Sequence, residues 1–307
     1  MSIPVPPYDR MTMEHRRRGL DLVVDALACP LCRSVVVTTT SAVVCENGHA
    51  FDIARQGYVS LTTGRATAGD TAEMIEARDR FLGAGHYDPI VDAVVDAVPS
   101  SAAGLAVDVG GGTGYHLARV LTARGGLDGI VLDTSKPAVR RAARAHPRLG
   151  AVVADAWAGL PLRTGVAAVV LSVFAPRNPA ETLRVLREDG VLVVVTPTPR
   201  HLAELVSAVG LVSVDDRKEE RLARQLARFD LEGSIDLEYP ITLDRRAAVD
   251  DVLMGPSGHH ADAAAIAAAL ESLPDPLSTT VSVTVSVFRP TPTGGPDAPA
   301  ADVGGPA

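Results

Sequence analysis

Four side chains stand close enough in the chain to do chemistry together: Cys29, Cys32, Cys45 and His49, spaced C-x2-C-x12-C-x3-H. The chain has 3 cysteines in all, and an odd number makes a poor disulfide framework. Two close pairs of soft donors suit one tetrahedral Zn2+. Pro30 and Asn47-Gly48 supply turn residues inside the pairs. The β-prone runs Val35–Thr39 and Ala42–Val44 flank Thr40-Ser41 and read as a hairpin. The implied module is a zinc ribbon. The chain itself fills all four positions, so the metal is structural and the module depends on it to fold. The competing reading, three unrelated buried thiols and a surface histidine, leaves the paired spacing unexplained.

A second constellation lies further on. The apolar run Leu105–Val109 ends in Gly110-Gly111-Gly112-Thr113-Gly114, a helix-compatible stretch follows from Tyr115 to Ala123, and the next apolar run, Gly129–Leu132, ends in Asp133. Strand, glycine turn, helix, strand and acid form the nucleotide-binding unit of a doubly wound sheet. The dinucleotide pattern G-x-G-x-x-G fails, because Tyr115 occupies its third glycine position. What stands is Asp108-x-Gly110-x-Gly112-x-Gly114, which resembles class I S-adenosylmethionine methyltransferases. That resemblance implies a loop approaching the amino-acid end of the cofactor, and a carboxylate, Asp133, for its ribose. An NAD enzyme and a purely structural turn are the weaker readings.

The elements that must position these groups follow the same pattern. Ala151–Ala154 ends in Asp155, and in the methyltransferase layout this strand end lies near the adenine. Ala167–Ser172 and Gly190–Thr196 read as further strands. Lys136–Ala145, Pro179–Arg187 and His201–Val209 read as helices between them. Such alternation argues for a parallel sheet. Val281, Val283, Val285 and Val287 alternate with Ser and Thr, which fits an antiparallel edge hairpin. Asp70-Thr71-Ala72-Glu73 has the form of a capping box opening a helix to about Leu82. Tyr87 follows, where packing in the core and closure over a cofactor are both open; His201 reads as a surface residue at a helix start.

Composition sets the bounds. With 307 residues, 47% hydrophobic and 21% charged, the chain has material for one large domain with an appendage or for two domains. A largely disordered chain is excluded. No apolar run approaches a membrane span, and the N-terminus lacks a secretion pattern, so the expected location is the cytoplasm. The net charge is −8, yet residues 1–65 carry a net of +1. A general polyanion binder is disfavoured, and nucleic-acid contact must come from local patches such as Arg16-Arg17-Arg18. A solvated terminal segment explains that triplet equally well.

Taken in order, the ribbon, Phe51–Leu61, Gly69-Asp70-Thr71-Ala72-Glu73-Met74, Phe81–Tyr87 and the glycine turn resemble the RlmA-type 23S rRNA (guanine-N1)-methyltransferases over roughly residues 22–289. Val173–Pro179, Pro199–Leu205 and Met254–Ser257 are similar to the TlrB-like subgroup, associated with resistance to tylosin-like macrolides. The resemblance implies an α/β fold: a Rossmann-like class I methyltransferase domain with an N-terminal zinc ribbon. It implies a substrate guanine, position 748, in a domain II hairpin loop of 23S rRNA at the peptide exit tunnel. It also implies cofactor contacts at Tyr87, Gly112-Thr113 and His201. With the glycine-turn reading, the expected cofactor set is Tyr87, Asp108, Gly110, Gly112, Thr113, Gly114, Asp133, Asp155 and His201. The cofactors are S-adenosyl-L-methionine and structural Zn2+.

The expected organisation is an arm (1–22), a zinc-ribbon RNA-recognition module (23–65), the methyltransferase domain (66–289) and a disordered tail (290–307). Arg16–Arg18, Arg33 and Arg55 with the ribbon form the expected RNA platform. The partner is 23S rRNA, free or in the large ribosomal subunit; a homodimer is compatible with the sequence, and no membrane is expected. Ser172–Asn178 follows the strand where related enzymes hold substrate. It offers Ser172, Arg177 and Asn178 but no carboxylate, so the sequence nominates no catalytic base. Two rival readings are a small-molecule (antibiotic) methyltransferase using the ribbon as a structural or dimerisation module, and a non-catalytic RNA-binding protein.

Overall fold

The computed structural model describes residues 13–64, 69–209, 222, 224–259 and 263–292. The start of the arm, residues 65–68, and residues 293–307 of the expected tail lie outside these. Helix α1 (Met13–Val23) leads into the ribbon, a three-stranded antiparallel sheet of β1 (Val36–Thr38), β2 (Ala42–Cys45) and β3 (Ala50–Asp52). Val36 pairs with Cys45 and Val44 with Ala50, so the hairpin read from the sequence gains a third strand.

The chain then builds an eight-stranded sheet. In chain order its parts are β4 (Val59–Ser60), α2 (Ala72–Gly83), α3 (Asp88–Ala97), β5 (Gly104–Val109), α4 (Tyr115–Ala123), β6 (Leu127–Asp133), α5 (Lys136–Ala142) and β7 (Leu149–Val153). They continue with β8 (Ala167–Val173), α6 (Pro179–Val185), β9 (Leu186–Pro197), α7 (Ala203–Val209), β10 (Phe229–Leu243), α8 (Arg245–Met254), α9 (Ala263–Leu270) and β11 (Leu277–Pro290). The strand order is β10-β11-β9-β8-β5-β6-β7-β4. From β4 to β9 neighbours run parallel, and β11 pairs antiparallel with both β9 and β10. The alternating valines of β11 are therefore interior, and β10 is the edge.

Near-continuous apolar strands are what a parallel sheet covered on both faces demands. Successive side chains point to opposite faces: Ala106 joins one core with Leu117, Leu121 and Phe81, while Leu105, Val107 and Val109 join another with Leu20, Val36 and Val43. The second core contains Cys29 and Cys45 as well. The ribbon thus shares a hydrophobic core with the large sheet.

Several local expectations are corrected. Thr71, not Asp70, caps α2, accepting from Met74 N; the Asp70 carboxylate is engaged by Arg78 at 2.6 Å and His259 at 3.4 Å. Helix α6 stops at Val185, where the residues read as its last turn begin β9. Helix α7 starts at Ala203, so His201 lies in the turn before it. The helix α1 is no solvated appendage. A Cβ on Gly19 would fall 2.1 Å from the Leu149 carbonyl oxygen, so only glycine allows α1 to lie this close to β7. Leu20 and Val23 are buried there, each worth about 1.5–3 kcal/mol. Arg17, from the basic triplet, donates to the Thr40 carbonyl of the ribbon turn at 2.6 Å, and Arg18 is exposed.

Candidate functional site

At the ribbon, the four donor atoms of Cys29, Cys32, Cys45 and His49 all lie within 4.8 Å of one another. Cys29 Sγ and Cys45 Sγ are 3.5 and 3.4 Å from His49 Nδ1, and Cys32 Sγ is 3.7 Å from Cys45 Sγ. Bonds of about 2.3 Å to sulfur and about 2.0 Å to nitrogen in a tetrahedron place ligands at such separations, so the set fits Zn2+. Two turns create it. Arg33 N donates to the Cys29 carbonyl with Arg33 at φ +64°, and Gly48 N donates to the Cys45 carbonyl with Gly48 at φ +80°. Burial pushes the Cys29 thiol up, whereas Asn47 and Ser34 bring Cys32 down to about 5.

The second site lies at the carboxyl ends of the parallel strands, where open α/β sheets place ligands. Asp108 closes the apolar part of β5, 1% exposed, and neither carboxyl oxygen has a hydrogen-bond partner. Burial, and then the charge of Asp133, raise its pKa to about 7. Gly110, Gly112 and Gly114 all take positive φ. A Cβ on Gly110 would come 2.8 Å from Ala175 Cβ, so the turn and the segment after β8 pack with no room to spare. Asp133 ends β6; its Oδ2 accepts from Gly112 N at 3.0 Å and its Oδ1 from Ser135 N at 2.8 Å. Burial nonetheless leaves its pKa raised. Thr113 is buried beneath the turn. An acid held against a glycine backbone, beside a buried carboxylate lacking any partner, fits the ribose and amino-acid ends of S-adenosylmethionine.

Tyr87 and His201 close another side. Tyr87, at the start of α3 and 3% exposed, sends its phenol to Asp251 Oδ1 at 3.1 Å and 3.3 Å from His201 Nε2. Ser282 N donates to His201 Nδ1 at 3.2 Å, which leaves the ring proton on Nε2 in the neutral imidazole. The chain of donation therefore runs from His201 to Tyr87 to Asp251. Burial raises the Tyr87 phenol well above its ordinary value and Asp251 to about 7, the latter against the lowering effect of the Tyr87 bond. Phe174 stacks on His201 with ring centroids 5.7 Å apart. It is 40% exposed and at φ +52°, a strained setting for a bulky side chain.

Of the residues nominated by sequence, the structure brings Asp108, Gly110, Gly112, Thr113, Gly114 and Asp133 into one cradle, and Tyr87 and His201 into one contact. Asp155 stands past the end of β7, its Oδ1 accepting from Trp157 N at 2.8 Å. The segment Ser172–Asn178 joins that loop, because Asn178 Nδ2 donates to the Ala156 carbonyl at 2.8 Å. Asp251, Phe174 and Arg78 escaped sequence reasoning. A signal for Asp251 existed: Asp250-Asp251 interrupts an apolar helix, and both carboxylates are buried, Asp250 against Arg80.

Comparison with known proteins identifies the family. Residues 27–62 match the family model described as the N-terminal zinc ribbon of RlmA. A 23S rRNA (guanine(748)-N(1))-methyltransferase of Streptomyces fradiae is 50% identical over 88% of this chain and 99% of its own length. A putative 23S rRNA (guanine-N(1)-)-methyltransferase of Micromonospora griseorubida is 47% identical over 86% of this chain and 97% of its own. A Bacillus subtilis protein of the same description, YxjB, is 33% identical over 71% of this chain and 82% of its own. Identity of that order across nearly the whole of its relatives makes this chain a member of the 23S rRNA (guanine-N1)-methyltransferase family.

Proposed function

We propose that this protein methylates N1 of guanine 748 in 23S rRNA, in the domain II hairpin loop at the peptide exit tunnel, and thereby protects ribosomes from tylosin-like macrolides. One observation carries the choice of a folded RNA over a small molecule: the ribbon and the cofactor cleft form one continuous body. Arg33 Nη1 donates to the Leu160 carbonyl at 2.7 Å, and Ala28 N to the Pro161 carbonyl at 3.0 Å. The same loop reaches the Ser172–Asn178 segment through Asn178 and Ala156. An RNA loop held on the ribbon is thus held in register with the cofactor. The Streptomyces fradiae relative, a guanine(748)-N(1)-methyltransferase by name, supports the nucleotide. An RNA-binding protein without catalysis leaves the cradle of Asp108 and Asp133 without a use.

S-adenosylmethionine, when bound, supplies an electrophilic methyl group. The protein's residues must do the rest. Guanine N1 faces its pairing partner in a duplex, so the base has to be taken unpaired or extruded; N1 also carries a proton at neutral pH, which must leave to solvent or a base as the methyl arrives. Aligning N1 with the methyl carbon supplies much of the rate. Phe174, strained, exposed on one side and backed by His201, is our candidate shelf for the guanine ring, and Trp157, 63% exposed, for a neighbouring base. Among the described residues no helix is long and apolar enough to cross a membrane, and we place the enzyme in the cytoplasm with its substrate. The structural Zn2+ is held by Cys29, Cys32, Cys45 and His49, the cofactor by the set around Asp108 and Tyr87, and a homodimer is compatible with this reading.

The test is methyl mapping. Purified protein and S-adenosylmethionine are incubated with 23S rRNA, and separately with large subunits, from a strain lacking the modification. Mass spectrometry of nuclease fragments should find 1-methylguanosine at position 748. No gain of mass in either substrate, with cofactor binding intact, would transfer the assignment to a small-molecule acceptor.

A further inference from the structure

The glycine turn has a neighbour that sequence spacing does not reveal. Arg78, midway along α2, reaches the turn: a Cβ on Gly112 would lie 3.0 Å from Arg78 Nη1. The guanidinium is already oriented, since Nη2 donates to the Met254 carbonyl and pairs with Asp70 Oδ2, each at 2.6 Å. Both of those contacts use Nη2, whereas Nη1 is the atom next to Gly112.

Beside the same turn is Asp108, its carboxyl carbon 2.6 Å from where a Cβ on Gly111 would be, both oxygens buried and without a partner. A fixed cation and an orphaned carboxyl group therefore border adjacent residues of one loop. The amino-acid end of S-adenosylmethionine is a zwitterion, with ammonium and carboxylate on a single carbon. We propose that Arg78 recognises the cofactor's carboxylate, with Asp108 taking the ammonium. A planar guanidinium matches a carboxylate in shape and charge. His116, in the first turn of α4, is no substitute: burial, and then the charge of Arg78, lower its pKa to about 4, so it is neutral at pH 7.

Decarboxylated S-adenosylmethionine keeps adenosine, sulfonium and amine and lacks only the carboxylate. Calorimetric titration of the full-length protein should give a dissociation constant about 10- to 100-fold weaker for it than for S-adenosylmethionine, the range of a charge-assisted hydrogen bond. In Arg78→Gln the two ligands should bind alike. That variant also loses its contacts to Asp70 and Met254, so two controls accompany it. Asp70→Asn removes the ion pair but keeps the guanidinium, and should retain the discrimination. 5′-Methylthioadenosine, which has no amino-acid end, should bind Arg78→Gln as tightly as the parent. The proposal fails if the parent does not distinguish the two ligands, or if Arg78→Gln still does. It fails equally if Arg78→Gln loses methylthioadenosine in step with S-adenosylmethionine, since Arg78 would then only shape the pocket.

Discussion

The Tyr87 phenol oxygen and His201 Nε2, 114 residues apart in the chain, lie 3.3 Å from each other, and the phenol donates a hydrogen bond to Asp251. This contact ties α3 to the turn before α7 and to α8. Tyr87→Phe removes the donor to a buried carboxyl group, which should cost about 1–3 kcal/mol. The Tyr87 bond favours ionised Asp251, so its loss raises the Asp251 pKa further above about 7. Urea unfolding should accordingly show a larger loss at pH 8 than at pH 6; an equal loss at both would detach Asp251 from the effect.

If Asp108 takes the cofactor's ammonium, as proposed, cofactor affinity should depend on pH. Its folded pKa, about 7, is raised above the ordinary 3.8 by burial first and Asp133 second. The stability it contributes is therefore full at acid pH and lost as pH rises through about 7. Cofactor ammonium requires the ionised form, so affinity should increase over that same interval, with proton uptake by buffer when binding occurs below it. Asp108→Asn should flatten the affinity profile, weaken S-adenosylmethionine about 10-fold, and raise the melting temperature of the free protein at pH 8. Titrations in buffers of different ionisation enthalpy would count the protons.

Removing the metal should reach beyond the ribbon. Cys29 and Cys45 belong to a core that also contains Leu105, Val107 and Ile130. Replacing Cys29 and Cys32 together by Ser should release one Zn2+ per chain, abolish RNA methylation and lower the melting temperature of the whole protein. Cofactor binding should survive at low temperature, because Gly110–Gly114 and Asp133 do not touch the metal ligands. Metal analysis, calorimetry and methyl transfer on RNA separate these effects, and full RNA methylation by the variant would remove the ribbon from recognition.

Phe174 should matter to RNA and not to the cofactor. Base stacking on an aromatic side chain is worth about 1–3 kcal/mol, so Phe174→Ala should reduce kcat/KM for RNA by about 5- to 150-fold. The dissociation constant for S-adenosylmethionine should stay within about twofold, and Phe174→Tyr should restore activity. A 2-aminopurine at the target position would report the base directly: its fluorescence should be quenched on binding the parent and bright on Phe174→Ala.

Local chemistry was legible in the sequence wherever the acting residues are neighbours in the chain. The C-x2-C-x12-C-x3-H spacing sets the ribbon because each ligand pair is made by its own short turn. The strand, glycine turn and acid from Leu105 to Asp133 form one βαβ unit, whose register places Asp108 opposite Val131 and Asp133 opposite Val153. Helix ends were less legible. Thr71 rather than Asp70 caps α2, and the Asp70 carboxylate is taken instead by Arg78 within the helix and by His259 across the fold.

What only the tertiary structure decided depends on contacts across long separations. Three glycines fix the shape of the cofactor turn by permitting positive φ, and that is a property of the residues themselves. That Arg78 borders this turn, that Asp251 accepts the Tyr87 hydrogen bond, and that Phe174 stacks on His201 follow from where α2, α8 and the ends of β8 and β9 are packed. No periodicity encodes such meetings. The docking of the ribbon has the same origin: Leu20, Cys29, Val36 and Val43 announce themselves only as apolar, and burial against one face of the parallel sheet selects what they pack against.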